Sequence, residues 1–167
     1  MHVSTIDSSA TPEKLYQQLR EELQSLISGE SDWIANLANA SALLFHSLPD
    51  LNWAGFYLLR ADELVVGPFQ GRPACVRIAL GRGVCGTAAA QRRSIIVPNV
   101  DEFPGHIACD SASKSEIVVP MIVGERLLGV LDVDSPKFGR FSAEDQVGLE
   151  AFVNVLLSEW RTADGGR

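Results

Sequence analysis

Residues 115–135 read SEIVVPMIVGERLLGVLDVDS, and their pairing decides the fold. Two runs rich in Val, Ile and Leu flank Gly124-Glu125, the pattern of two strands joined by a short turn. Such a hairpin makes the sheet antiparallel at this point. Pro120 lacks a backbone donor and predicts an edge position or a bulge. Asp132 and Asp134 are two residues apart, so they share a strand face. Whether Glu116 joins them depends on register. A two-residue turn at 124–125 pairs Glu116 with Val133, on the opposite face. A three-residue turn pairs it with Asp132 or Asp134. The expectation is the three-residue turn, with three carboxylates converging. The competing reading is a solvated sheet face, because clustered carboxylates are costly to bury without partners.

Working outward, the other strands lie upstream. WAGFYLL (53–59) and ELVVGPF (63–69) flank Arg60-Ala61-Asp62 and predict a second hairpin. ACVRIAL (74–80) and SIIVP (94–98) predict two further strands, with GRGVCGTAAAQRR (81–93) as a Gly-rich turn and short helix between them. Helices bracket this set. Thr11, Pro12 and Glu13 read as an N-cap, a first-turn proline and an acidic first turn. Leu15, Leu19, Leu23, Leu26 and Ile27 then recur at helical spacing. Ser31 or Asp32 caps a second helix that Pro49 ends. Ser142 opens a last helix to about Trp160. Residues 1–11 read as a flexible leader, 12–161 as one domain and 162–167 as a flexible tail. Segregated strands with helices at both ends predict an α+β domain, helices on one side of the sheet.

Composition narrows the function. The chain has 167 residues, a net charge of −7 and no basic stripe, which argues against nucleic acid and anionic membranes. No apolar run reaches the ~18 residues of a transmembrane helix, and the N-terminus has no apolar signal core. The expectation is a cytoplasmic protein. In a reducing compartment Cys75, Cys85 and Cys109 do not form a structural disulfide framework.

Those cysteines have distinctive surroundings. Cys109 sits in FPGHIACDSASKSEIVVP (103–120), in a polar loop, where an accessible thiol is a candidate for chemistry. Cys85 sits in RGVCGT at a helix entry, where N–H groups and the helix dipole favour a thiolate. Cys75 opens a strand. Three separate buried thiols are the plainer alternative; a structural zinc site lacks any CxxC or HxxxH spacing. His106, three residues before Cys109, can lower a thiol pKa or donate a proton. Trp53 and Tyr57 share a strand face with Gly55 between them, leaving a gap that a ligand or another backbone can fill.

NWAGFYLL (52–59), VGPFQGRPACVRI (66–78), GRGVCGTAA (81–89), the cysteine loop and GVLDVDSP (129–136) together resemble the free methionine-(R)-sulfoxide reductases, single GAF-domain enzymes. The resemblance runs over about residues 50–140; PNVDEF departs slightly, where the family tends to have Asp before the Val. It implies a GAF-like central antiparallel sheet of about six strands. It implies reduction of free methionine (R)-sulfoxide without metal or cofactor, with thioredoxin as the recycling partner. Carried onto this chain, Cys109 is the nucleophile and Cys75 or Cys85 resolves it, with Cys75 preferred. One of Glu116, Asp132 and Asp134, their pKa values raised by proximity, supplies a proton to the sulfoxide oxygen. The others bind the ammonium of the free amino acid, and Trp53 and Tyr57 hold the S-methyl group. A non-catalytic GAF module, binding a small ligand or sensing redox state, is the alternative. The amphipathic first helix suits a homodimer contact or packing on its own sheet.

Overall fold

A computed structural model describes residues 6–7, 9–107 and 110–163, with side chains to residue 160. The elements are α1 (Pro12–Ile27), α2 (Trp33–Ser47), β1 (Trp53–Arg60), β2 (Glu63–Gly71), β3 (Arg77–Ala79), α3 (Gly83–Gln91), β4 (Ile95–Val97), a 3₁₀ turn (Val100–Glu102), β5 (Ser115–Val123), β6 (Arg126–Ser135) and α4 (Ala143–Ala163). Local chemistry sets the helix starts. The Asp32 side chain accepts the Ala35 N–H at the head of α2. Ser142 and Asp145 exchange bonds before α4, Ser142 N–H to Oδ2 at 2.8 Å and Asp145 N–H to Oγ at 3.3 Å, a capping-box arrangement. Thr11 holds the expected N-cap position of α1 but makes no side-chain cap bond; Pro12 follows it in the first turn.

Six strands form one antiparallel sheet in the order β3-β2-β1-β6-β5-β4. The β5–β6 turn differs from the expectation. Val123 pairs with Arg126, so the turn is the two-residue one, Gly124-Glu125. The register is then shifted by a bulge: Ile122 pairs with Leu127 but Met121 with Gly129. Below that bulge Glu116 faces Asp134 and Val118 faces Asp132. The carboxylates therefore share a face, through an inserted Leu128 rather than a longer turn. Gly129 makes this possible: its φ is +155°, and a Cβ there would lie 2.1 Å from the Tyr57 carbonyl oxygen on β1. Pro120 sits beside the bulge and past the end of β4, which reaches only Val118.

The sheet has two covered faces. Ala54, Phe56, Leu58, Ile117, Val119, Leu131 and Val133 pack toward α2 and α4. Helix α1 does not take the sheet position. It lies mainly on α4 and α2, burying Leu15, Tyr16, Leu19, Leu23 and Ile27, side chains each worth about 1.5–3 kcal/mol when fully buried. Tyr16 OH donates to Asp145 at 2.8 Å, tying α1 to the start of α4. The apolar stripe of α1 is thus covered within the chain. Ahead of it, Ile6 packs against this core and the Asp7 N–H donates to Gln18; the rest of the expected leader, residues 1–5 and 8, and most of the expected tail, 164–167, lie outside the described residues. The opposite face carries Trp53, Tyr57, Val118 and Val130 beneath α3 and the loops beside it. Among the described residues no helix is long and apolar enough to cross a membrane.

Candidate active site

The second face of the sheet holds an acid cluster. Glu116 and Asp132 are each 6% exposed, and Asp134 is half-buried beside them. Helix α3 sets Cys85 on top of the pair: its Sγ donates to Glu116 Oε1 at 3.9 Å. One polar atom from each of Cys85, Glu116 and Asp132 lies within 4.8 Å of the others. Burial pushes Glu116 well above the usual carboxylate range, and the charges of Asp132 and Asp134 push it further. Asp134 is raised likewise by burial and by Asp132, against a hydrogen bond from Ser113. Asp132 is pushed up to about 6 by burial, held there by bonds from Cys85 and Glu116. Its Oδ1 has no hydrogen-bond partner, although it is buried.

Cys85 behaves contrary to expectation. It does sit at the entry to α3, but it is 4% exposed. Burial, then the charges of Asp132 and Glu116, push its thiol well above the ordinary value. Desolvation and adjacent carboxylates outweigh the helix N-terminus, so Cys85 is held as a thiol. Gly83 opens the helix at φ +58°, with its α-carbon face against Ile107 of the cysteine loop.

An aromatic wall closes one side. Trp53 stacks on Tyr57 with centroids 5.9 Å apart and on Phe69 at 5.1 Å. Phe69 escaped the sequence reading because a β-bulge on β2, where Gly67 and Pro68 lie opposite Phe56, brings it opposite Gly55. The gap at Gly55 is filled by backbone rather than ligand: a Cβ there would be 2.7 Å from Phe69 Cα and 2.3 Å from its Cβ. Trp53 Nε1–H donates to the Arg72 carbonyl at 3.1 Å, and Tyr57 OH to the Cys75 carbonyl at 3.0 Å. Two ring residues thus position the segment that carries Cys75. That segment precedes the strand, since β3 begins only at Arg77. Cys75 is disulfide-bonded, and Cys85 is the free cysteine among the described residues.

The third wall is the loop after the 3₁₀ turn. Cys109, with Ala108, lies outside the described residues. Its neighbours are anchored: Asn52 Nδ2–H donates to Asp110 Oδ2 at 3.1 Å and to Ser113 Oγ at 3.0 Å. Asp110 also accepts the Ala112 N–H, which holds its carboxyl below the ordinary value. His106 Nε2 is 3.8 Å from Glu116 Oε2. Burial holds the imidazole below its ordinary value, partly opposed by Asp101. Asn52 and Ser113 were not legible in advance, because only the β1–β6 register reveals that residue 52 abuts Asp134.

The result is a pocket open to solvent, with about 520 Å³ of empty space when the solvent at its mouth is included. Carboxylates and a thiol form its base, aromatic rings one wall, and the exposed Arg72 and Arg82 its rim. Acids at one end and guanidinium groups at the other suit a zwitterion with an apolar, oxidisable tail.

The GAF domain family matches residues 9–156. The chain is 52% identical to the free methionine-R-sulfoxide reductase of Escherichia coli (strain K12), covering 90% of this chain and 92% of that one. It is 43% identical to the protein of the same name from Saccharomyces cerevisiae, over 89% and 87%. The X-ray structure of free methionine-R-sulfoxide reductase from Neisseria meningitidis, in complex with its substrate, superposes with a TM-score of 0.94 at 40% identity, covering all of both chains.

Proposed function

The chain belongs to the free methionine-R-sulfoxide reductase family of GAF-domain oxidoreductases, and from that premise we propose that it reduces free methionine (R)-sulfoxide in the Trp53–Glu116–Asp132 pocket through a cysteine sulfenic acid. One observation carries the reading: buried carboxylates converge around a thiol beside a stacked aromatic wall. A sulfoxide oxygen leaves only when it is protonated as the S–O bond breaks. Glu116, raised well above the usual carboxylate range by burial and by its neighbours, is the proton donor. Asp132, with an apparent value of about 6, is mostly ionised at pH 7, and its unpartnered oxygen accepts the substrate ammonium. A peptide-bound methionine lacks that ammonium. Trp53 and Tyr57 hold the S-methyl group.

The chemistry balances in two steps. The Cys109 thiolate attacks, the substrate S–O bond breaks, and the oxygen passes to Cys109 with the Glu116 proton as a sulfenic acid. The substrate sulfur is reduced by the two electrons that Cys109 loses. The Cys75 sulfur then attacks Cys109, the S–OH bond breaks, and the Cys75 thiol proton leaves with the hydroxyl as water, forming a disulfide that a thioredoxin-class dithiol in the cytoplasm reduces. Two facts favour Cys75 over Cys85 as the resolver. Cys75 is disulfide-bonded while Cys85 is free, and the Cys85 thiol resists ionisation. The test is a single-turnover assay. Reduced protein forms methionine from free methionine (R)-sulfoxide, and C109S forms none even with excess dithiothreitol. Methionine production by C109S would place the nucleophile elsewhere.

A further inference from the structure

Glu116 loses its proton in each turnover of the reaction proposed above, yet it is only 6% exposed. Something must return that proton. We propose that His106 is the relay that carries it from solvent to the Glu116 carboxylate between turnovers, an inference that rests on Glu116 being the donor. The two oxygens of Glu116 have different neighbours. Oε1 faces the Cys85 thiol at 3.9 Å, whereas Oε2 faces His106 Nε2 at 3.8 Å. A small side-chain rotation or one bridging water closes the second gap. The His106 side chain is 15% exposed against 8% for Glu116, so it touches both the acid and the solvent. Its loop is shaped for this: the His106 N–H donates to the Phe103 carbonyl at 3.1 Å, across Gly105 at φ +74°.

The other groups around the imidazole do not offer this path. Asp101 approaches from the 3₁₀ turn and is paired with Lys114 at 3.9 Å. Asp110 on the same loop is occupied by Asn52 and Ala112. Asp132 and Asp134 of β6 and Cys85 of α3 lie with Glu116 at the pocket base, and Arg72 and Arg82 lie at its rim. Tyr57 directs its hydroxyl to the Cys75 carbonyl. Among the described lining residues, His106 is the imidazole, and it faces Glu116 Oε2 on one side and solvent on the other. The step moves one proton: imidazolium Nε2–H gives it to the carboxylate, and the neutral ring recovers one from solvent. The thiol proton released when Cys109 ionises balances the cycle.

The test is steady-state and pre-steady-state kinetics of H106Q and H106N with dithiothreitol and free methionine (R)-sulfoxide. A relay acts after the chemical step, so the first methionine per chain forms at the wild-type rate. The steady-state kcat then falls about a hundredfold, kcat/KM stays within about twofold, and added imidazole restores kcat. Unchanged kcat overturns the relay. So does a kcat/KM that falls in step with kcat, which marks a positioning or structural role, or a failure of imidazole to rescue. An inactive wild type instead overturns the reductase reading beneath it; an active wild type with unaffected variants overturns the relay alone.

Discussion

Replacing Asp132 by Asn separates what the acid cluster does for stability from what it does for chemistry. Asp132 is 6% exposed, and burial raises it from 3.8 to about 6. That rise of about two units corresponds to roughly 3 kcal/mol between its two protonation states. The sign follows from linkage. A carboxyl raised on folding contributes stability that is fully present below its unfolded value, near pH 4, and is lost as pH rises through about 6. The wild type therefore loses roughly 3 kcal/mol from this group between pH 4 and pH 8. D132N cannot titrate there and escapes that loss. Removing the Asp132 charge also relieves Glu116 and Asp134, which it raises, so the neighbours add to the effect with the same sign. Urea denaturation of both proteins across pH 4–8 gives the difference directly and cancels every unrelated group. The expected difference grows in favour of D132N by about 3 kcal/mol, or roughly 6–12 °C in thermal midpoint, while reductase activity is lost. A difference that stays flat with pH, or grows in favour of the wild type, refutes the buried-cluster reasoning.

The other predictions concern register and proton delivery. G129A forces a Cβ to within 2.1 Å of the Tyr57 carbonyl at φ +155°; it is expected to cost more than about 3 kcal/mol and to abolish activity, read by denaturant unfolding and turnover. E116Q keeps the side-chain volume but removes the acidic proton, so kcat is expected to drop by about a hundredfold or more with the thermal midpoint within a few degrees of wild type. C75S is expected to form one methionine per chain but to lose thioredoxin-supported turnover.

The fold was legible where patterns are local. Both hairpins, the α2 cap at Asp32 and the Ser142 start of α4 follow from residue types within a few positions. The acid cluster was legible in outcome but not in route. Sequence spacing at Gly124-Glu125 admits two turn lengths, and only tertiary contact shows the third solution: a two-residue turn corrected by a bulge where Gly129 passes β1. Cys85 misled for a related reason. The Gly-flanked helix entry is a local signal, whereas the carboxylates that reverse its effect come from β5 and β6, over thirty residues away. Phe69 joins the site through the β2 bulge at Gly67-Pro68, and Asn52 through the β1–β6 register, which no local pattern reveals. The layering of α1 over α4 was equally hidden, since an amphipathic stripe does not name the surface that covers it.

The central claim is that this pocket selects a free amino acid sulfoxide of one configuration. Reduced protein with excess dithiothreitol is given an equal mixture of the (R)- and (S)-sulfoxides of free L-methionine and, separately, of N-acetylmethionine, and methionine formation is followed to completion. The account predicts that consumption of the free form stops at about half, leaving the (S)-sulfoxide, and that the N-acetyl form, which cannot offer Asp132 an ammonium, is left essentially untouched. Consumption past half, or equal rates on the two forms, contradicts it.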